Sequence, residues 1–198
     1  MSLFTTALLK ERAFNEIQKS GIEGRFTTQT RAQLVETRLF SNLSSQKNDS
    51  ALKTYDIFLS HSSKDAVEVK GLKLVLEDMG YSVYVDWIDD PSLDRANVTK
   101  ETALLLQRRM RQSRSLIYAF SNNGLLSKWM PWELGFFDAL KETATVLPIV
   151  EQSSTNSYKG TEFLGIYNYV VQTGTSLWVH KSLTEYVSYS RWMSGSKP

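Results

Sequence analysis

Short apolar runs alternate with longer segments of helical period over most of this chain. The runs rich in aliphatic, β-branched and aromatic residues are predicted as strands: YDIFLS (55–60), YSVYVDW (81–87), SLIYAF (115–120), TVLPIV (145–150) and YNYVVQ (167–172). Most of them are apolar almost throughout, which is typical of strands that helices cover on both faces of a parallel sheet.

The segments between these strands have the spacing of helices, and the alternation of the two element types indicates the fold class. We predict helices over about 64–79, 98–112 and 128–142, with a further helix over about 176–193 at the end of the chain. Strands that alternate with helices form right-handed crossover units. We therefore predict a flavodoxin-like, doubly wound α/β fold, with a five-stranded parallel sheet in the order 2-1-3-4-5 flanked by helices.

The first fifty residues have a different pattern. Residues 3–19 and 28–43 are moderately amphipathic and are separated by Gly21 and Gly24, and residues 44–53 (SSQKNDSALK) read as a polar linker. We predict a helical N-terminal extension and linker over 1–50 and an α/β domain over 51–198. Two roles for the extension stay open, which are packing on the α/β domain and self-association.

Composition excludes several classes of function. A net charge of +2, from 23 basic and 21 acidic residues, argues against a nucleic-acid binder. The chain has no cysteine and only His61 and His180, so we expect no disulfide, no thiolate nucleophile and no metal site. No apolar run approaches the roughly 20 residues of a membrane helix, and Lys10 to Arg12 interrupt any signal-peptide core. We expect a cytoplasmic protein that does not bind membranes.

The segment SKWMPWELGFFDAL, residues 127–140, is an apolar helical segment that carries one glutamate, Glu133. Pro131 fits only in the first turn of a helix, so Glu133 is expected close to the helix start. At about 100° per residue, the apolar side chains within roughly 60° of Glu133 are Trp129, Met130, Phe136, Phe137 and Leu140. A carboxylate in the middle of an apolar face is costly unless it is paired or used. It is therefore either a helix-start acid, stabilised by the helix dipole or a buried partner, or a functional group.

Polar residues follow the first three predicted strands, at the edge of the sheet where ligands bind in open α/β folds. They are Ser60, His61 and Ser62, then Asp86, Trp87, Asp89 and Asp90, and then Ser121, Asn122 and Asn123. The helix that carries Glu133 begins just after the third of these loops. The sequence therefore brings Glu133 and the three polar loops to one edge of the sheet.

From about residue 55 to about residue 193 the chain resembles a TIR domain. YDIFLSH resembles the first conserved box of that family, and residues 86–95 match its long BB loop. Residues 129–134 (WMPWEL) match the W-x-x-x-E-L signature of the bacterial TIR domains that cleave NAD⁺. His61 stands where the family commonly has an aromatic residue, and Asp90-Pro91-Ser92 replaces the Pro-Gly pair of the adaptor-type members.

The resemblance implies roles for particular residues. Glu133 matches the catalytic glutamate of the signature, and Trp129, one turn earlier, is expected to wall the nicotinamide-ribose pocket. The other substrate-binding residues that we predict from the strand-end loops are Ser60, His61, Asp86, Trp87 and Ser121. His61 is expected to contact phosphate or to be only a polar loop residue, and Trp87 to stack on the ligand or to pack. NAD⁺ is the expected substrate, and no cofactor is expected.

The function that the resemblance implies is that of an NAD⁺ glycohydrolase or ADP-ribosyl cyclase. Such a protein, similar to the TIR proteins of Thoeris anti-phage systems, makes an ADP-ribose-derived signal, often cyclic, that reaches a separate effector protein. Self-association through the TIR domain is a further expectation. The alternatives are a non-catalytic TIR interaction module and a virulence-type TIR protein that acts on host NAD⁺ or signalling. Dehydrogenase and serine-hydrolase functions are disfavoured because the chain has no G-x-G-x-x-G and no G-x-S-x-G motif.

Overall fold

An eight-stranded sheet organises the protein, whose computed structural model describes residues 1–19, 53–90, 99–152, 157–158 and 160–198. The strands are β1 (Phe4–Thr5), β2 (Tyr55–Ser60), β3 (Val83–Tyr84), β4 (Ser113–Phe120), β5 (Ala144–Val150), β6 (Tyr169–Thr173), β7 (Ser176–His180) and β8 (Tyr186–Ser188). Their order is β3-β2-β4-β5-β6-β7-β8, and β1 pairs with β5. Pairing is parallel from β3 to β6 and antiparallel from β6 to β8.

Helices connect and cover these strands. The α-helices are α1 (Thr6–Lys19), α2 (Ala66–Asp78), α3 (Asp86–Asp89), α4 (Lys100–Gln112), α5 (Trp129–Lys141) and α6 (Tyr189–Met193). Short 3₁₀ turns cover Ser63–Asp65, Gly124–Leu126 and Glu162–Ile166. No helix within the described ranges is both long and apolar enough to cross a lipid bilayer.

Alternate residues of the central strands supply two separate cores, one on each face of the sheet. Ile57 and Ile117 pack on one face with residues of α1, α2 and α6. Phe58 and Leu116, the neighbours of those residues, pack on the other face with α4 and α5. Because successive side chains of a strand point to opposite faces, a strand that is apolar throughout requires helices on both sides.

The predicted α/β class, with a mostly parallel sheet between helices, is confirmed. The predicted count of five strands is too low, and the predicted helix over 176–193 is wrong except for its last turn. After Gly174, which has a φ of 56°, the chain reverses and β7 pairs with β6. In β7 the buried Leu177 and Val179 alternate with the exposed Ser176 and the half-buried Trp178. That period of two is typical of a strand. It is hard to recognise in the sequence because the aromatic residues spaced along the segment also fit the period of a helix.

The first residues of the chain are part of the sheet. Phe4 and Thr5 lie beside Ile149 and Val150, the last residues of β5, in parallel register. Ser2 exchanges two backbone hydrogen bonds with Gln172 of β6, at N···O distances of 2.9 and 3.0 Å. Residues 2–5 therefore pair with both β5 and β6.

Helix α1 then packs tightly against α2. Gly71 permits the contact, because a Cβ atom at that position would lie 1.9 Å from the carbonyl oxygen of Leu9. Arg12 makes a bidentate ion pair with Asp78, with N···O distances of 2.6 and 3.0 Å. The described part of the predicted extension therefore packs on the α/β domain. The predicted helix over 28–43, the break at Gly21 and Gly24 and most of the linker lie outside the described residues, and the domain boundary at 50/51 stays a prediction.

Candidate active site

Glu133 is the fifth residue of α5 and is fully buried. It lies just beyond the first turn, to which Pro131 belongs, so the helix dipole alone does not account for it, and the alternative of a buried partner stays open beside the functional one. Met130 and Phe137 are buried on the same helix face, as the wheel predicts, whereas Leu140 in the last turn is exposed. The carboxylate of Glu133 is thus held in the protein interior by the packing of α5 against the sheet.

Ser60, the last residue of β2, provides a hydrogen bond to this carboxylate. Its Oγ donates to Oε2 of Glu133 at 2.5 Å, and both side chains are fully buried. Tyr118 lies beside Ser60 in the register of β4 with β2. Burial raises the pKa of the Tyr118 phenol, and the negative charge of Glu133 raises it further. A short hydrogen bond from a hydroxyl is the kind of partner that makes a buried carboxylate tolerable.

His61, Asp86 and Trp87 form a second group. The indole Nε1 of Trp87 donates to His61 Nε2 at 3.0 Å, and an indole nitrogen can only donate. Nε2 is therefore the acceptor, and Nδ1–H donates to the carbonyl of Leu59 at 2.9 Å. Both nitrogens of the imidazole are thus engaged within the fold.

Asp86 and Trp87 belong to the short helix α3, which follows β3. The Asp86 carboxylate accepts from the backbone N–H of Trp87 at 2.8 Å and lies 3.4 Å from His61 Nε2. Asp86 is buried, and Trp87 is half-buried against the core on the α1–α2 face. This group joins the end of β2 to the end of β3, and contact of its members with substrate stays a prediction.

Ser121 belongs to a third group, built around Asp65, which is not among the predicted site residues. Ser121 Oγ and Asn123 Nδ2 donate to the two carboxylate oxygens of Asp65, which is buried. Ser121 Oγ in turn accepts from the backbone N–H of Gly124 at 3.0 Å. Asp65 therefore holds the loop that leads from β4 into α5. The sequence contains an indication of this group. An acidic side chain follows one strand, and the hydrogen-bond donors of an SNN run follow the neighbouring strand.

Trp129, the first residue of α5, is half-buried one turn before Glu133. It meets Trp132 edge to face, with ring centroids 5.2 Å apart and an interplanar angle of 85°. Trp132 stacks on Phe136 at 5.9 Å. The indole of Trp129 thus has a fixed neighbour, and its predicted contact with nicotinamide stays a prediction.

These groups share one edge of the sheet because their strands are parallel. Ser60 ends β2, and Ser121 follows the neighbouring strand β4. Glu133 lies at the same edge on α5 and contacts Ser60 there. Within the part of the chain that the structure describes, no three His, Asp or Glu side chains are arranged to hold a metal ion. What the arrangement offers chemically is a buried, hydrogen-bonded carboxylate beside an aromatic side chain that is partly open to solvent.

Comparison with known proteins adds to this geometry. A family model described as "TIR domain" matches residues 57–181. The "Probable 3' cyclic ADP-D-ribose synthase ThsB'" of Bacillus cereus (strain MSX-D12) is 43% identical over 199 residues, and the alignment covers 98% of each chain.

Two further relatives match over shorter stretches. The "Probable 2' cyclic ADP-D-ribose synthase TcpO" of Methanobrevibacter olleyae is 33% identical over 124 residues, which are 59% of this chain and 33% of the relative. The "Putative cyclic ADP-D-ribose synthase TIR2" of Cytobacillus dafuensis is 30% identical over 102 residues, 51% of this chain and 27% of the relative.

Proposed function

This chain belongs to the TIR domain family, and on that premise we propose that it cleaves NAD⁺ between nicotinamide and ribose and converts the remainder into a cyclic ADP-ribose signal. The observation that carries the proposal is the fully buried carboxylate of Glu133, hydrogen-bonded by Ser60 at 2.5 Å. The similarity to a named cyclic ADP-D-ribose synthase over nearly the full length of both chains supports it.

A single carboxylate suits this reaction. Nicotinamide leaves as a neutral molecule, because it takes both electrons of the C–N bond to its cationic ring nitrogen. The ribose carbon is left with positive charge, as in the oxocarbenium-like transition states of glycoside hydrolysis. A fixed anion in a site that excludes water stabilises that charge more strongly than an anion in solvent does. Since the leaving group is already cationic, no general acid is required.

The second half of the reaction decides the product. If a hydroxyl of the same molecule attacks the ribose carbon and releases its proton, a cyclic ADP-ribose forms. If water attacks instead, the product is linear ADP-ribose. The proposal favours the cyclic product because the relative that matches nearly the whole chain is named as a synthase of a 3′ cyclic isomer.

Ser60 is proposed as a positioning residue for this chemistry. Its hydroxyl is buried and its hydrogen bond fixes the direction in which the Glu133 carboxylate points. Preorganised charge is effective because no reorientation is needed as the transition state forms. Trp129, half-buried at the start of the same helix, is proposed as the aromatic wall for nicotinamide.

We place the reaction in the cytoplasm, where NAD⁺ is abundant, and propose a role in anti-phage defence. The signal would act on a separate effector protein, and self-association through the TIR domain would regulate its synthesis. The proposal involves no cofactor, no nucleic acid and no membrane. These parts rest on the resemblance to the Thoeris-type TIR proteins.

The test is release of nicotinamide from NAD⁺ by the purified full-length protein, at high protein concentration and with a crowding agent. We expect Glu133→Gln to lower the rate by about 10²–10³-fold, the range found when a preorganised electrostatic group is removed. Glu142→Gln changes an exposed glutamate at the other end of α5 and serves as the matched control. Mass spectrometry of the second product then separates cyclic from linear ADP-ribose.

Two results would count against the proposal. No release from the wild type under any activating condition overturns the enzymatic function. Equal release from wild type and Glu133→Gln would mean that the protein is an enzyme but that Glu133 is not its catalytic residue.

A further inference from the structure

A cleft opens at the same edge of the sheet, between α1 and the ends of β4 and β5. Its volume is about 700 Å³, within the range of 300–1,000 Å³ that is typical of small-molecule sites. Ala7 and Lys10 of α1 and Glu68 of α2 line one side, and Phe120, Asn122 and Tyr158 line the other. Phe120 and Tyr158 also pack against the core on the α4–α5 face, so the cleft lies at the margin of that core.

The strand register relates this cleft to Ser60. Tyr118, which lies beside Ser60 in the register of β4, is two residues before Phe120. Strands about 4.8 Å apart with a rise of about 3.3 Å per residue separate the backbones of Ser60 and Phe120 by roughly 8 Å. The two places therefore lie on neighbouring strands at the same edge of the sheet.

The wall nearest to the Glu133 site is aromatic. The rings of Phe120 and Tyr158 lie 5.5 Å apart at an angle of 56°, and both side chains are half-buried. Burial raises the pKa of Tyr158 to about 12, so its phenol keeps its proton at neutral pH. Flat aromatic faces of this kind bind nucleobases by stacking, and one stacked base contributes roughly 1–3 kcal/mol.

The opposite wall is polar. Lys10 Nζ lies 3.0 Å from Glu68 Oε1, and the Lys10 side chain keeps 45% of its exposure. The exposed amide of Asn122, on the side of Phe120, adds a further polar group to the lining. A carboxylate and an amide are suitable partners for ribose hydroxyls, and a lysine is a suitable partner for phosphate. The two walls together match the chemistry of a purine nucleotide.

The polar wall comes partly from a segment of the chain that the family model does not include. Ala7 and Lys10 lie in residues 1–19, outside the matched range of 57–181, and the close α1–α2 packing holds them there. The relative that aligns over 98% of its length shares this region. The N-terminal segment thus completes a cleft beside the predicted catalytic group.

We propose that this cleft binds the adenosine-phosphate end of the dinucleotide substrate, while the nicotinamide end lies at Glu133. The proposal rests on the proposed function for the identity of the substrate. It assigns the N-terminal segment a part in substrate binding. Because the two ends of the substrate bind on different elements, their contributions can be separated by mutation.

The experiment measures binding of AMP to full-length Glu133→Gln protein by calorimetry or NMR, so that no turnover is needed. Ala7→Trp fills the cleft from an exposed position, and Asn15→Trp places the same side chain elsewhere on α1, in a groove of about 310 Å³. We expect Ala7→Trp to weaken AMP binding at least tenfold and Asn15→Trp to leave it unchanged. In the active protein, Ala7→Trp should raise KM for NAD⁺ and preserve kcat.

Tyr158→Leu is the second variant, in case Ala7→Trp disturbs α1, and it should weaken AMP binding by removing the stacking face. Absence of AMP binding, or binding that none of these changes affects, overturns the proposal. A different result is that the cleft variants weaken AMP binding but the wild-type protein releases no nicotinamide under any condition. That result supports the cleft and overturns the catalytic function instead. The two failures are therefore distinguishable.

Discussion

The two halves of the carboxyl edge of the sheet are built in different ways. Around Glu133 the side chains are fully buried and joined by short hydrogen bonds, and the residues belong to the range that defines the TIR family. The cleft around Phe120 is half-open, and one of its walls is formed partly by an N-terminal helix outside that range. The difference teaches that a fixed charge needs a closed hydrogen-bonded environment, whereas a base-binding surface needs only shape and an aromatic face.

Loss of the Ser60 hydroxyl should have the largest effect of these changes, and it should affect only the Glu133 half. Ser60→Ala removes the 2.5 Å hydrogen bond to the carboxylate. Hydrogen bonds to charged groups are worth about 1.5–3 kcal/mol, so we expect kcat to fall by roughly 10- to 100-fold. KM for NAD⁺ should change little, and steady-state kinetics with NAD⁺ provide the measurement.

Ser115→Ala is the matched control for that change. Ser115 is also a buried serine of the central sheet, but its hydroxyl bonds to the Asp56 carbonyl and to Tyr189. It should lower the melting temperature and leave kcat within about twofold, since its partners stabilise the fold rather than the carboxylate. Equal losses of kcat in both variants would mean that Ser60 acts only through stability.

A change at Gly71 should affect the cleft half. In Gly71→Ala the new Cβ would lie 1.9 Å from the Leu9 carbonyl, so α1 must move. Overpacking of this kind typically costs about 1–3 kcal/mol of the free energy of unfolding. We expect a lower melting temperature and a several-fold higher KM for NAD⁺, with kcat preserved.

Gly135→Ala tests whether that effect comes from the contact. A Cβ atom at Gly135 meets nothing within 4 Å, and the residue is exposed on α5. Alanine favours a helix over glycine by up to about 1 kcal/mol, so this variant should be as stable as the wild type or more stable. A KM that is unchanged in Gly71→Ala would break the proposed link between α1 and substrate binding.

Asp65→Asn should have the smallest effect and should affect both halves. An asparagine offers only one acceptor oxygen in place of the two that Ser121 and Asn123 use. One lost hydrogen bond is worth about 1–2 kcal/mol. Since this loop supplies Asn122 to the cleft and leads into α5, kcat and KM should each change by a few-fold. A change in only kcat or only KM would mean that Asp65 supports just one of the two halves.

Much of the architecture could be predicted because it depends on local patterns. The described limits of α5, Trp129–Lys141, lie within one residue of the segment that its apolar spacing predicts. The hairpin of β7 and β8 could not be predicted in the same way. Its aromatic residues fit both a helical and an extended pattern, and pairing with β6 decides between them.

The same distinction between local pattern and long-range contact applies to the candidate site. The sequence by itself determined that Glu133 lies on an apolar helix face, because the helical period and Pro131 are local properties. Only the tertiary structure decided that Ser60, 73 positions earlier, donates to it, and that Asp65 accepts from Ser121 across 56 positions. The same holds for α1, which packs where Gly71 leaves room. The physical reason is that hydrogen bonds and close packing depend on distances of a few ångströms between residues far apart in the chain, whereas periodicity depends on neighbours along it.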